Sequence, residues 1–242
     1  MANLSLPPVI GTGPSVYERW RASTLGKVTE ALEQKRILEL MGSIDGRRVL
    51  DLGCGDGLLT ATLAEHRALA VGIDADRAML DAAAARTVRD EQRRLRFVQG
   101  RIEQLPFRDG VFDAVVVVTV FCVVSDRTAA IHEAARVLRS GGRLVIGELG
   151  RWNAWAAKRR MKGWFGSPFW RAAHFSTASE LCGLIQSVGL TVQAVRGSVF
   201  YPPLGILARS MAPVDKWIGS TTTIGAAFIA IAATKQAVQR TL

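Results

Sequence analysis

The sequence predicts an α/β fold built on a parallel sheet, and three observations carry that prediction. Residues 49–52 (Val-Leu-Asp-Leu) form a short apolar run suited to a buried parallel strand, and Gly53, Gly55 and Gly57 follow it directly. Residues 58–65 are good helix formers, and residues 69–73 form a second apolar run ending at Asp74. The order is therefore strand, glycine turn, helix, strand, acidic residue, which places the glycines at the carboxyl end of a strand where α/β sheets bind nucleotides.

Each part of this unit has a physical use. Glycine at 53, 55 and 57 removes the Cβ atoms that would hold a ligand away from the turn and permits positive φ where the chain reverses. Asp74 can accept hydrogen bonds from a ribose diol. A lone glycine fingerprint also fits a dinucleotide, but Asp51, two residues before the first glycine, is awkward beside a pyrophosphate. It suits a ligand carrying an ammonium group and a sulfonium.

The string from Val49 to Gly57 resembles the first motif of the class I S-adenosylmethionine-dependent methyltransferases, and Gly72-Ile73-Asp74 resembles their second. Within that family it is most similar to the small-molecule branch containing the ubiquinone and menaquinone C-methyltransferases. Residues 97–107 are similar to the third strand and adenine-contacting loop, and residues 112–118 to the fourth strand. Residues 135–146, with Gly141 and Gly142, resemble the helix, turn and fifth strand. The matched elements cover about residues 48–148.

The resemblance implies a Rossmann-like seven-stranded sheet with helices on both faces and an antiparallel last strand. It implies S-adenosylmethionine as cofactor, met by Asp51, Gly53, Cys54, Gly55, Asp74, Ala75, Met79, Arg101, Ile102 and Thr119. The family usually has an acidic residue where Arg101 stands, accepting from the adenine amino group, and arginine has no acceptor. Either Glu103 takes that role, or backbone groups near Ile102 and the apolar faces of Met79 and Leu80 hold the ring. The plain alternative is that Arg101 points to solvent.

The remaining elements follow in order. Residues 16–41 hold Tyr17, Trp20 and Arg21 and then a helix with Leu32, Ile37, Leu38 and Leu40, where related enzymes carry a lid. Thr177 and Glu180 form a capping box for a helix bearing Leu181, Leu184, Ile185 and Val188, stopped by Gly189. Residues 190–199 and 226–234 read as the sixth and seventh strands, with an apolar insertion between them containing residues 201–207 and 217–219. The whole reads as a single domain of 242 residues: lid helices over 1–45, a cofactor core over 46–149, and an acceptor-side cap with the final strands over 150–242.

Composition narrows the function. Residues 1–14 lack a basic start and an apolar run, and the most apolar stretches, 111–124 and 224–233, are too short to cross a bilayer and read as central strands. Cysteines 54, 122 and 182 have no paired spacing, so neither a disulfide framework nor a zinc site is indicated, and a cytoplasmic location is the simplest. Metal is not expected from the resemblance: catechol-type relatives cluster carboxylates after the fourth strand, where residues 119–122 offer none for a hard cation. Arsenite chemistry would need more thiols.

Charge is uneven. Residues 1–150 hold 20 Lys and Arg against 19 Asp and Glu, whereas residues 151–242 hold 11 against 2, so the formal +10 splits as +1 and +9. Its densest part is residues 151–171, with Arg151, Lys158, Arg159, Arg160, Lys162 and Arg171 among Trp152, Trp155, Trp164, Phe165, Phe169 and Trp170. A helix over 152–164 would set Trp152, Trp155 and Arg159 near one side. Capping an acceptor pocket, docking on an anionic membrane and contacting nucleic acid all fit such a segment, as does a lid with core tryptophans and solvated charges. Nucleic acid fits worst, because the aromatics sit in apolar company rather than along a polar groove.

The reaction expected is methyl transfer by in-line displacement to a small, apolar or aromatic acceptor, with an anionic one also compatible. Positioning suffices for a thiolate or activated carbon, while an oxygen or nitrogen acceptor needs a base. The candidates are Glu148, just past the fifth strand, His174 in the basic segment, and Tyr17 in the lid. Each has a structural rival: Glu148 pairing with arginine, His174 packed between Trp170 and Phe175, Tyr17 lining the cleft. The alternative from another class is a cofactor-binding sensor or partner subunit without turnover, and the sequence is silent on oligomeric state.

Overall fold

The computed structural model describes residues 19–87 and 94–236. Its centre is a seven-stranded sheet in the order β3-β2-β1-β4-β5-β7-β6. The strands are β1 (Arg48–Leu52), β2 (Leu69–Asp74), β3 (Leu95–Gln99), β4 (Phe112–Val118), β5 (Leu138–Leu149), β6 (Leu190–Ser198) and β7 (Phe228–Lys235). The first five pair in parallel, and β7 runs antiparallel between β5 and β6. The Rossmann-like arrangement implied by the sequence is present, with the antiparallel strand inserted inside the edge rather than at it.

Alternation along the strands builds two cores. On β5, Leu144 and Ile146 join the core that covers one face with α4 (Arg127–Val137) and α7 (Ala178–Ser187). Val145 joins the other, formed with α1 (Thr24–Met41), α2 (Leu58–Glu65) and α8 (Gly205–Thr221). The sheet is covered on both faces, which explains why β4 reads as an almost unbroken run of valine. The helix α3 (Arg77–Arg86) follows β2, its Asp76 side chain accepting from the Ala78 amide as N-cap.

Local signals set most boundaries. Thr177 and Glu180 exchange both capping-box hydrogen bonds at the start of α7, as the sequence predicts. Gly189, at φ +75°, turns the chain into β6. The helix expected over 152–164 begins later, as α5 (Ala154–Trp164), because the Asn153 side chain caps it by accepting from the Ala156 amide. Trp152 consequently lies outside the helix and is exposed, while Trp155 is buried, so the two do not share a side. A short α6 (Pro168–Ala172) folds back against α5, opened by Ser167 and Pro168.

One apolar stretch is shorter as a strand than the sequence predicts, and another takes a form the sequence left open. Of residues 111–124 only Phe112–Val118 is strand. The insertion between β6 and β7 is the 17-residue α8, despite Pro213 within it. It holds Asp215, whose buried carboxylate accepts from the Ser198 hydroxyl at 2.7 Å and the Phe200 amide at 2.9 Å and so ties α8 to the end of β6.

Candidate functional site

The glycine turn sits at the carboxyl end of β1, and the amides of Gly53 and Cys54 both donate to the Ile73 carbonyl of β2, at 2.8 and 3.0 Å. Asp51 and Asp74 flank it on adjacent strands. Asp74 holds the turn in place, its Oδ2 accepting from the Gly55 amide at 2.9 Å and its Oδ1 from the Asp76 amide at 2.9 Å. A carboxylate oxygen has two lone pairs, so each keeps capacity for a further donor.

The three glycines differ in what they make room for. At Gly53 a Cβ would lie 2.5 Å from Val120 Cγ2, and at Gly57 it would lie 2.7 Å from both Phe97 Cζ and Ala83 Cβ. At these two positions the protein itself packs where a side chain would stand. Gly55 is the open position: at φ +55° its Cβ would meet only Met79 Cε, at 3.5 Å. Gly55 and Met79 thus border the space above the turn, and Ala75 is exposed beside it.

Asp51 is buried, and its Oδ2 accepts from the Thr60 hydroxyl at 2.6 Å. Burial pushes its carboxyl up to about 7, opposed by that hydrogen bond and reinforced by the neighbouring charge of Asp74. A buried carboxyl with one hydroxyl partner is suited to receive a cation. Asp56, in the middle of the turn, takes a different part that the sequence did not disclose. Its carboxylate accepts from Arg21 Nη2 at 2.8 Å and Arg86 Nη2 at 3.0 Å, and Arg21 also bridges to Glu30 of α1. The amino-terminal segment is thereby latched onto the turn. Tyr17 lies outside the described residues.

In the loop after β3, Arg101 is half exposed and donates to Glu103 Oε1 at 3.0 Å, and Ser125 Oγ donates to the same oxygen at 3.3 Å. Arg101 is therefore exposed, as its plain reading expects, and pairs with a neighbouring carboxylate there. Ile102 is buried, as is Leu80. Thr119, directly after β4, holds φ +53°, a strained value for a β-branched residue, with its amide on the Gly147 carbonyl at 2.8 Å.

Glu148 stands inside β5, not beyond it, and is sealed from solvent. Its Oε1 accepts from the Phe121 amide at 2.7 Å, fixing the loop after β4, while Oε2 has no hydrogen-bond partner among the described residues. Burial pushes the carboxyl up to about 7, opposed by the Phe121 and Leu149 amides and by the charge of Arg127. His174 is half exposed, its Nε2 lying 3.3 Å from Arg151 Nη2 and 3.5 Å from Glu180 Oε1. Burial, together with the charge of Arg127, lowers its pKa. Trp170 and Phe175 stack on each other at 6.4 Å.

Raised carboxyls make stability depend on pH in a definite direction. From the ordinary glutamate value of 4.5 to about 7, folded Glu148 holds a proton that the unfolded chain has released. Its contribution is therefore present at low pH and lost as the pH rises through about 7. Glu148→Gln, neutral throughout, should gain stability relative to the parent between about pH 5 and about pH 8 in urea unfolding. An unchanged difference across that interval contradicts it.

The basic segment closes the same end of the sheet. Trp155 Nε1 donates to the Tyr201 carbonyl at 2.8 Å, and the Tyr201 hydroxyl bonds Thr29 of α1 at 2.9 Å. Arg159 lies 5.2 Å over the Trp155 ring and 5.0 Å over Trp170. Cys122, Leu149, Ala156 and Phe175 form a small core beneath, and the His174 amide donates to the Cys122 carbonyl at 2.8 Å. Sequence reasoning missed Glu33. On α1, partly buried, its carboxyl is pushed up to about 7 by burial, opposed by Arg159 and reinforced by Glu30 and Asp215. No local signal separates it from Glu30 and Glu39 on the same helix, because Arg159 and Asp215 are distant in the chain.

Comparison with known proteins agrees with this geometry. A methyltransferase-domain family model matches residues 50–146. An uncharacterised protein of Mycobacterium tuberculosis is 31% identical over 228 residues, spanning 94% of this chain and 74% of that protein. A demethylmenaquinone methyltransferase of Beutenbergia cavernae is 34% identical over 142 residues, covering 58% of this chain and 56% of the relative, so the match spans about half of that enzyme. A solved SAM-dependent methyltransferase from Thermotoga maritima, a possible histamine N-methyltransferase, superposes with a TM-score of 0.70 at 24% identity, over 92% of this chain and 96% of that one.

Proposed function

We propose, since this chain belongs to the class I S-adenosylmethionine-dependent methyltransferases, that it methylates a small, apolar or aromatic acceptor held between the glycine turn and the α5–α6 segment. The observation that carries this reading is the turn itself: an open Gly55 between two carboxylates on neighbouring strands. Those residues fit the cofactor. The buried Asp51 lacks a cationic partner among the described residues, and Asp74 has lone pairs to spare for a ribose.

When bound, S-adenosylmethionine supplies a methyl carbon already activated by a sulfonium. The chain's own task is then to hold that carbon in line with the acceptor, which can contribute an effective molarity of ~10⁵ M or more. Asp74 and Asp51 orient the two ends of the cofactor, and Val120, seated on Gly53, fixes the loop after β4 beside them. Trp155, Trp170 and Arg159 supply an aromatic and cationic wall, suited to a ring bearing a negative or electron-rich substituent. The relative from Beutenbergia cavernae is a demethylmenaquinone methyltransferase, and a quinone precursor is an acceptor of that general kind.

Among the described residues this reading assigns proton removal to Glu33, whose neighbour Arg159 stands over the rings of Trp155 and Trp170, and Tyr17 stays a candidate outside them. Glu148 is sealed and holds the Phe121 amide, which makes it a positioning residue for the loop, and His174 Nε2 is occupied by Arg151. Glu33 has a carboxyl pushed up to about 7 within the field of Arg159. With a hydroxylated acceptor, Glu33→Gln should lower kcat by about 100-fold and abolish the rise of kcat through about pH 7, leaving S-adenosylhomocysteine affinity unchanged. Methyl transfer from labelled cofactor to a panel of phenols, thiols and quinone precursors tests the whole reading. Tight cofactor binding with no transfer to any of them would favour a sensor or partner subunit instead.

A further inference from the structure

The cations of the basic segment divide into two sets once α5 is folded. Arg159 lies over the rings of Trp155 and Trp170, facing the rest of the protein, and Arg160 lies 5.9 Å from the Trp152 ring and 5.0 Å from Phe175. Arg171 Nε approaches the Gly163 carbonyl at 3.4 Å. Lys158 and Lys162 point the other way and are exposed. They are not alone there. Met161 is 47% exposed, Trp164 75% and Phe165 88%, and Lys158, Met161, Lys162 and Phe165 follow the i, i+3, i+4, i+7 spacing of one helical face. Gly166, at φ +108°, turns the chain directly after them, so the two aromatic rings crown a tip.

We propose that this outer face of α5, with the Trp164-Phe165 tip, docks on an anionic lipid surface. Soluble surfaces rarely leave two large aromatic rings and a methionine side by side in water, and lysines flanking them are the arrangement of interfacial helices. Charge complementarity selects the occupant. Residues 151–171 contain six basic residues and no acidic one, within a last third of formal charge +9. The rings enter the headgroup region, where amphipathic aromatics are favoured, and the lysines meet lipid phosphates. No helix among the described residues is long and apolar enough to cross a membrane, so the contact is peripheral. This inference goes beyond the transferase reading, and either can fail without the other.

The test uses the intact chain with vesicles of phosphatidylcholine, alone or mixed with phosphatidylserine, at low salt. The chain should sediment with the mixed vesicles, with a blue shift of tryptophan emission, and be released by salt. Lys158→Glu with Lys162→Glu should weaken partitioning by about 25-fold or more, the loss expected from two lysines each worth about 1 kcal/mol at the headgroups. Trp164→Ser with Phe165→Ser should remove the blue shift. Both variants should keep their circular dichroism and their affinity for S-adenosylhomocysteine, because none of these four residues touches the cofactor turn. The proposal is overturned if the intact chain stays in solution, if it binds neutral vesicles as well as anionic ones, or if it prefers a single-stranded oligonucleotide at the same salt. It is overturned too if the chain is a dimer that the Trp164 and Phe165 changes dissociate, which would make the face a contact between copies.

Discussion

Replacing Asp74 with alanine is expected to weaken binding of S-adenosylhomocysteine by at least about 150-fold, because a ribose diol donates two charge-assisted hydrogen bonds of ~1.5 kcal/mol or more each. The same carboxylate holds the Gly55 and Asp76 amides, so its loss also loosens the turn on which the ligand lies. Asp74→Asn separates the two effects: an amide oxygen can still accept from one backbone amide but lacks the charge. Its affinity should fall between those of the parent and the alanine variant. Titration calorimetry measures all three, and an alanine variant that binds as tightly as the parent removes Asp74 from the site.

Gly57→Ala should cost about 3 kcal/mol or more of folding stability. At φ +75° alanine is strained by ~1–3 kcal/mol, and its methyl group would sit 2.7 Å from Phe97 Cζ and from Ala83 Cβ, adding an overpacking cost of ~1–3 kcal/mol. Gly46 and Gly141 supply the control. Both have positive φ with nothing within 4 Å of where an alanine methyl group would stand, so alanine there should cost only about 1 kcal/mol. Urea midpoints decide the matter: equal losses at all three positions would mean that packing against Phe97 and Ala83 contributes nothing.

What the sequence disclosed was local. Strand, turn, helix and acidic residue in 48–74 are set by nearest neighbours, and so are the Thr177–Glu180 capping box and the Gly189 stop, and all of them form as expected. What it concealed depends on residues far apart in the chain. Asp56 looked like one more turn residue because its partners, Arg21 and Arg86, are 35 and 30 residues away. Glu148 looked like a base beside the cleft because only the β4 loop, folded over it, reveals that its carboxylate holds Phe121. The apolar insertion between the last two strands carried no local signal of its form, and it is a helix over Gly205–Thr221 with Ala208 and Asp215 buried. The cations of α5 were indistinguishable as charges until Arg159 and Arg160 turned inward onto tryptophan and phenylalanine.

If the open glycine between Asp51 and Asp74 receives an adenosine joined to a charged amino acid, a crystal structure of the chain with S-adenosylhomocysteine shows it most directly. Ribose hydroxyls on the Asp74 carboxylate, the chain of the ligand crossing Gly55, and its ammonium end turned toward Asp51 are the predicted result. Ligand density away from the carboxyl ends of β1 and β2, or an Asp74 still bonded only to Gly55 and Asp76 with ligand present, would contradict it.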